Sequence, residues 1–151
     1  MPDVVSQQVL STLPSTATVR EAVTMMAQRR IGAILVVEDD RLVGIFTERD
    51  AIVRVLAAER DPKTTPLSVV MTPDPDTLPP EAPAGDALNL MEARNYRHMP
   101  VVSEGKVVGM VSIRDLFAVN RRQLEMELRQ RDDFIYGTSF SPETDAPDTG
   151  Q

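Results

Sequence analysis

The sequence contains no cysteine and no tryptophan, one histidine, and 4% aromatic residues in all. Without cysteine there is no disulfide, no thiolate metal site and no cysteine nucleophile. A lone histidine supplies no metal-ligand cluster of the usual spacing, so no metal site is expected. No Ser/His/Asp set can be assembled either, because nothing marks an activated nucleophile, and the chain reads as a non-enzyme without a catalytic cofactor. Also missing is any apolar run near the roughly 20 residues that a bilayer span requires. The N-terminus lacks the basic-then-apolar pattern of a signal peptide. Both absences predict a cytoplasmic protein that stays out of the membrane. A net charge of −7 argues against general affinity for nucleic acid or anionic lipid. The few Phe and Tyr residues do not interleave with a basic stripe as a base-stacking platform would.

What the sequence does have is an internal copy of itself. Gly44-Ile45-Phe46-Thr47-Glu48-Arg49-Asp50 recurs as Gly109-Met110-Val111-Ser112-Ile113-Arg114-Asp115, 65 positions further on. At that offset the chain aligns without gaps from Leu13 to Val53. Identities include Leu13/Leu78, Pro14/Pro79, Ala22/Ala87, Met26/Met91, Arg29/Arg94, Val36/Val101, Val37/Val102 and Asp50/Asp115. A duplication of this kind means two small units sharing one core, since a half of roughly 60 residues is marginal alone.

Each half gives the same succession of patterns. Val9 and Leu10 suggest a short leading strand, and Thr18-Val19-Arg20-Glu21 fits a capping box. Val19, Ala22, Val23, Met26 and Ala27 then recur at helical spacing. Ala33 to Val37 and Leu42 to Phe46 flank the turn Glu38-Asp39-Asp40-Arg41 and predict a β-hairpin. A helix from Thr47 is expected to carry Ala51, Ile52, Val55 and Leu56 inward, and Asp61-Pro62-Lys63-Thr64-Thr65-Pro66 ends it.

In the second half Val69, Val70 and Met71 lead into a Pro-rich extended segment. A helix follows with Ala84, Ala87, Leu88 and Met91 inward, and then a hairpin from Met99 to Val111. After Asp115 a helix continues with a narrow apolar stripe (Leu116, Phe117, Leu124, Leu128) towards Ile135, a pattern typical of a packing or dimer contact. From Ser141 the chain is polar and Pro-containing, and disorder is expected there. The units are therefore 1–63, 64–120 and an extension with a tail, 121–151.

The order strand–helix–strand–strand–helix, closing twice on Gly-x-x-[Thr/Ser]-x-Arg-Asp, resembles the cystathionine β-synthase (CBS) domain. The tandem resembles a CBS pair, or Bateman module. Val70-Met71-Thr72-Pro73 also looks like the start that such repeats commonly have. The resemblance implies an α/β (α+β) fold of two repeats packed by their sheets with pseudo-two-fold symmetry, plus a C-terminal helical extension. It further implies two clefts for adenine nucleotides (AMP, ADP or ATP) or S-adenosylmethionine. In these the motif hydroxyl meets phosphate and the Asp takes ribose hydroxyls. By that resemblance Ile45, Thr47, Arg49 and Asp50 share one cleft with Arg97, His98 and Pro100. Met110, Ser112, Arg114 and Asp115 face Gly32, Ala33 and Leu35 in the other. The first is then the more cationic cleft and the second the more neutral. A homodimer and a regulated protein in another chain are the implied partners.

The side-chain chemistry agrees independently of any family. An ionised Asp is an acceptor only, matched to a vicinal diol, and Arg can pair bidentately with phosphate. The plainer reading keeps Thr47/Asp50 and Ser112/Asp115 as helix caps, with an N-terminal hydroxyl and an acid where the macrodipole favours one. On that reading the chain is a ligand-free interaction or dimerisation module.

Overall fold

The computed structural model describes residues 10–136, with side chains as far as Asp132. The lead-in residue Val9 and the tail from Ser141 lie outside the described residues. In the first half, β1 (Thr12–Leu13) is followed by α1 (Val19–Arg29), β2 (Ala33–Glu38) and β3 (Arg41–Thr47). Next comes α2 (Glu48–Asp50), which continues as the π-helical segment Ala51–Leu56. A short helix α3 (Leu67–Val70) and strand β4 (Thr72–Pro73) form the connection. The second half adds α4 (Ala84–Arg94), β5 (His98–Ser103), β6 (Lys106–Ser112) and α5 (Ile113–Tyr136).

The duplication is reproduced in detail. Ala33 pairs with Thr47 across the first hairpin and His98 with Ser112 across the second, and each hairpin is bulged at the same place, between Val36/Val37 and Val101/Val102. Helices α1 and α4 both end on a left-handed residue, Arg30 and Asn95. Leu13 pairs in parallel with Val36, and Leu78 with Val101. In the second half, however, the leading strand is reduced to that single bridge.

Each half has its own core. Val19, Ala22, Met26, Ile34, Val36, Phe46 and Val55 fill the first; Leu78, Ala87, Leu88, Met91, Met99, Val101, Val111 and Leu116 fill the second. Between them Ala33, Leu35 and Ile45 pack with Leu42, Val107 and Met110, joining the sheets β1-β2-β3-β4 and β5-β6. The connection belongs to the first half: Leu67 and Val70 are buried in its core, and β4 pairs antiparallel with β3. The packing of the first half thus extends to Pro73.

The helix after Thr47 differs from expectation. Ala57 N donates to Ile52 O and Arg60 N to Val55 O, five residues back. This wider winding stacks Asp50 and Val55 on one buried face and turns Ile52 and Leu56 out, 59% and 68% exposed. Helix α5 runs unbroken for 24 residues and exposes Phe117, Leu124, Met126 and Leu128. Among the described residues no helix is long and apolar enough to cross a membrane.

Candidate functional site

At the junction of the halves lies a cleft of about 630 Å³, within the range of small-molecule sites. Strand β6 ends on Ser112, and α5 begins at Ile113, so the motif places Ser112, Arg114 and Asp115 around a long helix N-terminus. Gly32, Leu35 and Met110 line the same space, as do Arg97 and His98. Arg30, Ile31, Glu48, Ile113, Leu10 and Ser11 complete it. Gly32 and Arg97 are equivalent positions of the two halves, as are Glu48 and Ile113. The cleft therefore opens at the second motif and reaches across the pseudo-two-fold axis to the first half.

That placement corrects the pairing read from sequence. Arg97 and His98 stand with Ser112, Arg114 and Asp115, not with Thr47 and Asp50, so the cationic residues enrich the second motif's cleft. Backbone geometry is the reason. Glu48 N donates to Gly32 O and Ile113 N to Arg97 O, which draws both strand entrances to the axis. His98 then packs against Gly32, where an added Cβ would lie 2.9 Å from its ring and closer still to the Glu48 carboxylate. The remaining predicted residues lie elsewhere. Ala33 and Ile45 are in the core between the sheets, Pro100 is buried on β5, and Arg49 is exposed outside the cleft lining.

Thr47 and Asp50 form a reciprocal cap. Asp50 N donates to Thr47 Oγ1 at 3.2 Å, and Asp50 Oδ2 accepts from Thr47 N at 3.0 Å and Thr47 Oγ1 at 3.2 Å. Asp50 Oδ1 faces Thr72 Oγ1 at 3.4 Å and Arg54 Nε at 3.6 Å, and the residue is 6% exposed. In the second motif only the backbone half exists: Asp115 N donates to Ser112 Oγ at 3.1 Å. Asp115 is exposed and its carboxylate accepts no hydrogen bond from the described residues.

Burial pushes the His98 imidazole below its ordinary pKa; Glu48 and Asp115 pull it back up, and Arg97 adds to the fall. The ring is thus held towards its neutral form, able to donate from one nitrogen and accept at the other. Arg30, Arg97 and Arg114 supply charge for an anion, Ser112 a hydroxyl donor, and Asp115 an acceptor for a diol. Sequence reading missed Arg30 and Glu48. Arg30 is the left-handed C-cap of α1, and Glu48 occupies the variable position after the motif hydroxyl. A charged residue at a variable position within a repeated motif was the available signal for Glu48. A second, smaller hollow of about 290 Å³ lies by the hairpin turns, near Arg41, Asp74 and Gly105, and contains none of the predicted residues.

The CBS-domain family model matches residues 2–57 and 67–121. The chain belongs to the CBS-domain family. A CBS domain-containing protein of Bacillus subtilis, YhcV, is 37% identical over 123 residues, covering 82% of this chain and 86% of that one. A CBS domain-containing protein of Arabidopsis thaliana is 39% identical over 103 residues, 68% of this chain. The match spans only 19% of the length of that plant relative. Among solved structures, a CBS domain protein of Pyrobaculum aerophilum complexed with AMP superposes with a TM-score of 0.66 at 34% identity. That match covers 72% of this chain and 84% of the other.

Proposed function

We propose that this CBS pair is a non-catalytic, cytoplasmic regulatory module that binds an adenine nucleotide between its repeats and signals to a protein in another chain. The observation that carries the reading is the second motif's cleft. A hydroxyl and a carboxylate that make no side-chain hydrogen bond among the described residues sit there beside three arginines, at the N-terminus of a 24-residue helix. Phosphate suits the helix N-terminus and the guanidinium groups. Ribose hydroxyls suit Asp115. S-adenosylmethionine, which carries a sulfonium and an ammonium, fits this cationic lining less well than AMP, ADP or ATP. The AMP complex of the Pyrobaculum relative supports the adenosyl class.

Regulation follows from differential affinity, because a ligand touching both halves favours the arrangement in which it makes both sets of contacts. Thermal unfolding with AMP, ADP, ATP and S-adenosylmethionine tests the reading. At a ligand concentration 100-fold above Kd the stabilisation is about 2.7 kcal/mol. No stabilisation by any of the four at millimolar concentration sinks it.

Ligand-free association is a second reading, favoured by the exposed Phe117, Leu124, Met126 and Leu128 along α5 and by Ile52, Val53 and Leu56 on the π-helical segment. A two-fold homodimer would cover them, isologous contact being the commonest closure. Light scattering of the full chain and of a form ending at residue 120 checks this. Loss of association on removing 121–151 supports it.

A further inference from the structure

The two motifs differ in what their side chains have left to offer. Phosphate only accepts hydrogen bonds, so a motif hydroxyl must donate its proton to bind it. Thr47 donates that proton to Asp50 Oδ2, whereas Ser112 accepts from Asp115 N and makes no hydrogen bond to the Asp115 carboxylate. A ribose diol needs carboxylate oxygens free to accept. Both oxygens of Asp50 are engaged, by Thr47 on one side and by Thr72 and Arg54 on the other.

The engagement is built into the connection between the halves. Arg54 also donates to Met71 O at 2.7 Å and to Val70 O at 3.4 Å, so one guanidinium joins Asp50 to the segment leading into β4. The second copy has Val119 at the position of Arg54 and has no counterpart of this tie. Helix character separates the motifs as well. The first opens three α-helical residues that pass into π-helical winding, the second a continuous helix of 24.

We infer that the chain carries one ligand site, in the cleft of the second motif, and that Arg54 and Thr72 hold the first motif shut as a structural clasp on the connection. This inference rests on the nucleotide reading above and adds its stoichiometry, its location and the residues that enforce both.

Calorimetric titration of the full chain with ATP reads the stoichiometry directly, with no variant required. One site per chain is expected. Asp115→Asn should weaken that site by at least tenfold, while the paired change Arg54→Met with Thr72→Val should add a second, weaker site. Two wild-type sites of comparable affinity would overturn the inference and leave the nucleotide reading standing. A stoichiometry still at one in the double variant, with a cooperative thermal transition retained, would overturn the clasp. Absence of heat with ATP, ADP and AMP at millimolar concentration would instead remove the nucleotide reading, and this inference with it.

Discussion

Residues 44–50 and 109–115 are copies of one motif, and in the folded chain they hold opposite states. In the first, Ile45 and Asp50 are buried and the acid is ringed by donors from its own turn, from Thr72 and from Arg54. In the second, Met110 and Ser112 are half-buried and Asp115 is exposed at the cleft. A duplicated motif can thus keep its sequence pattern while one copy serves stability and the other keeps its polar groups open. The difference comes from neighbours outside the motif: an arginine four residues on, and a connecting segment that folds back onto only one of the halves.

The sharpest way to break the comparison is to take away the core beneath each motif. Phe46 and Val111 are equivalent and both fully buried. Phe46→Ala is expected to cost about 3–5 kcal/mol by the transfer and cavity terms for a buried aromatic. Val111→Ala removes two carbons and should cost about 2 kcal/mol. Urea unfolding of both variants checks the ranking; equal losses would mean that the halves do not differ in how much their cores depend on these positions.

Gly32 tests the asymmetry of the strand entrances. A methyl there meets the Glu48 carboxylate and the His98 ring, so both must shift into the cleft. Gly32→Ala should cost about 1–3 kcal/mol, as overpacking does, and should weaken nucleotide binding too. Its twin Arg97 is exposed and already carries a Cβ, so Arg97→Ala should leave stability nearly unchanged while reducing affinity. Thermal unfolding with and without ATP separates the two outcomes.

The caps come next. Thr47→Ala removes the hydroxyl from a reciprocal cap, which costs buried Asp50 Oδ2 one donor and Asp50 N its acceptor, so a loss near 2 kcal/mol, the upper end for caps, is expected. Ser112→Ala loses a single backbone bond and should cost about 0.5–1 kcal/mol, with a clear drop in affinity that Thr47→Ala lacks. If both variants lose the same stability and neither loses ligand, the motifs are plain caps and the comparison collapses.

The repeat, the hairpins and the helix faces of α1 and α4 were legible because their information is local: a period, a turn, an identity at fixed offset. Three features were not. The α-helical period puts Ile52 and Leu56 inward after Thr47, and the π-helical winding turns both outside. The allotment of Arg97 and His98 depended on which strand entrance lies on the pseudo-two-fold axis, and no residue encodes that by itself. The closed state of Asp50 depended on Arg54 reaching the carbonyls of Val70 and Met71, a contact between segments 17 residues apart. The motif hydroxyls and acids were identifiable as caps or ligand groups, and only the neighbours found in three dimensions distinguish one role from the other.

The smallest expected effect concerns His98, which belongs to the open cleft alone, since Ala33 takes its place in the other half. Its folded-state pKa lies below the unfolded value because burial disfavours the charged ring. The unfolded chain therefore binds more protons near the imidazole range, and stability rises with pH there. The contribution is fully present above the unfolded pKa, about 6.5, and is lost as pH falls through the lower folded value. Unfolding curves from pH 7.5 down to 5 should show this fall in the native chain, and His98→Gln should flatten that part of it. A bound phosphate beside the ring would reverse the balance by favouring the imidazolium, so nucleotide affinity should rise as the pH drops towards 6. The phosphate titrates in the same range, and only the difference between the native chain and His98→Gln isolates the ring. Identical pH dependence of ATP affinity in the two proteins would place the phosphates away from His98 and leave Arg30 and Arg114 as the cations that receive them.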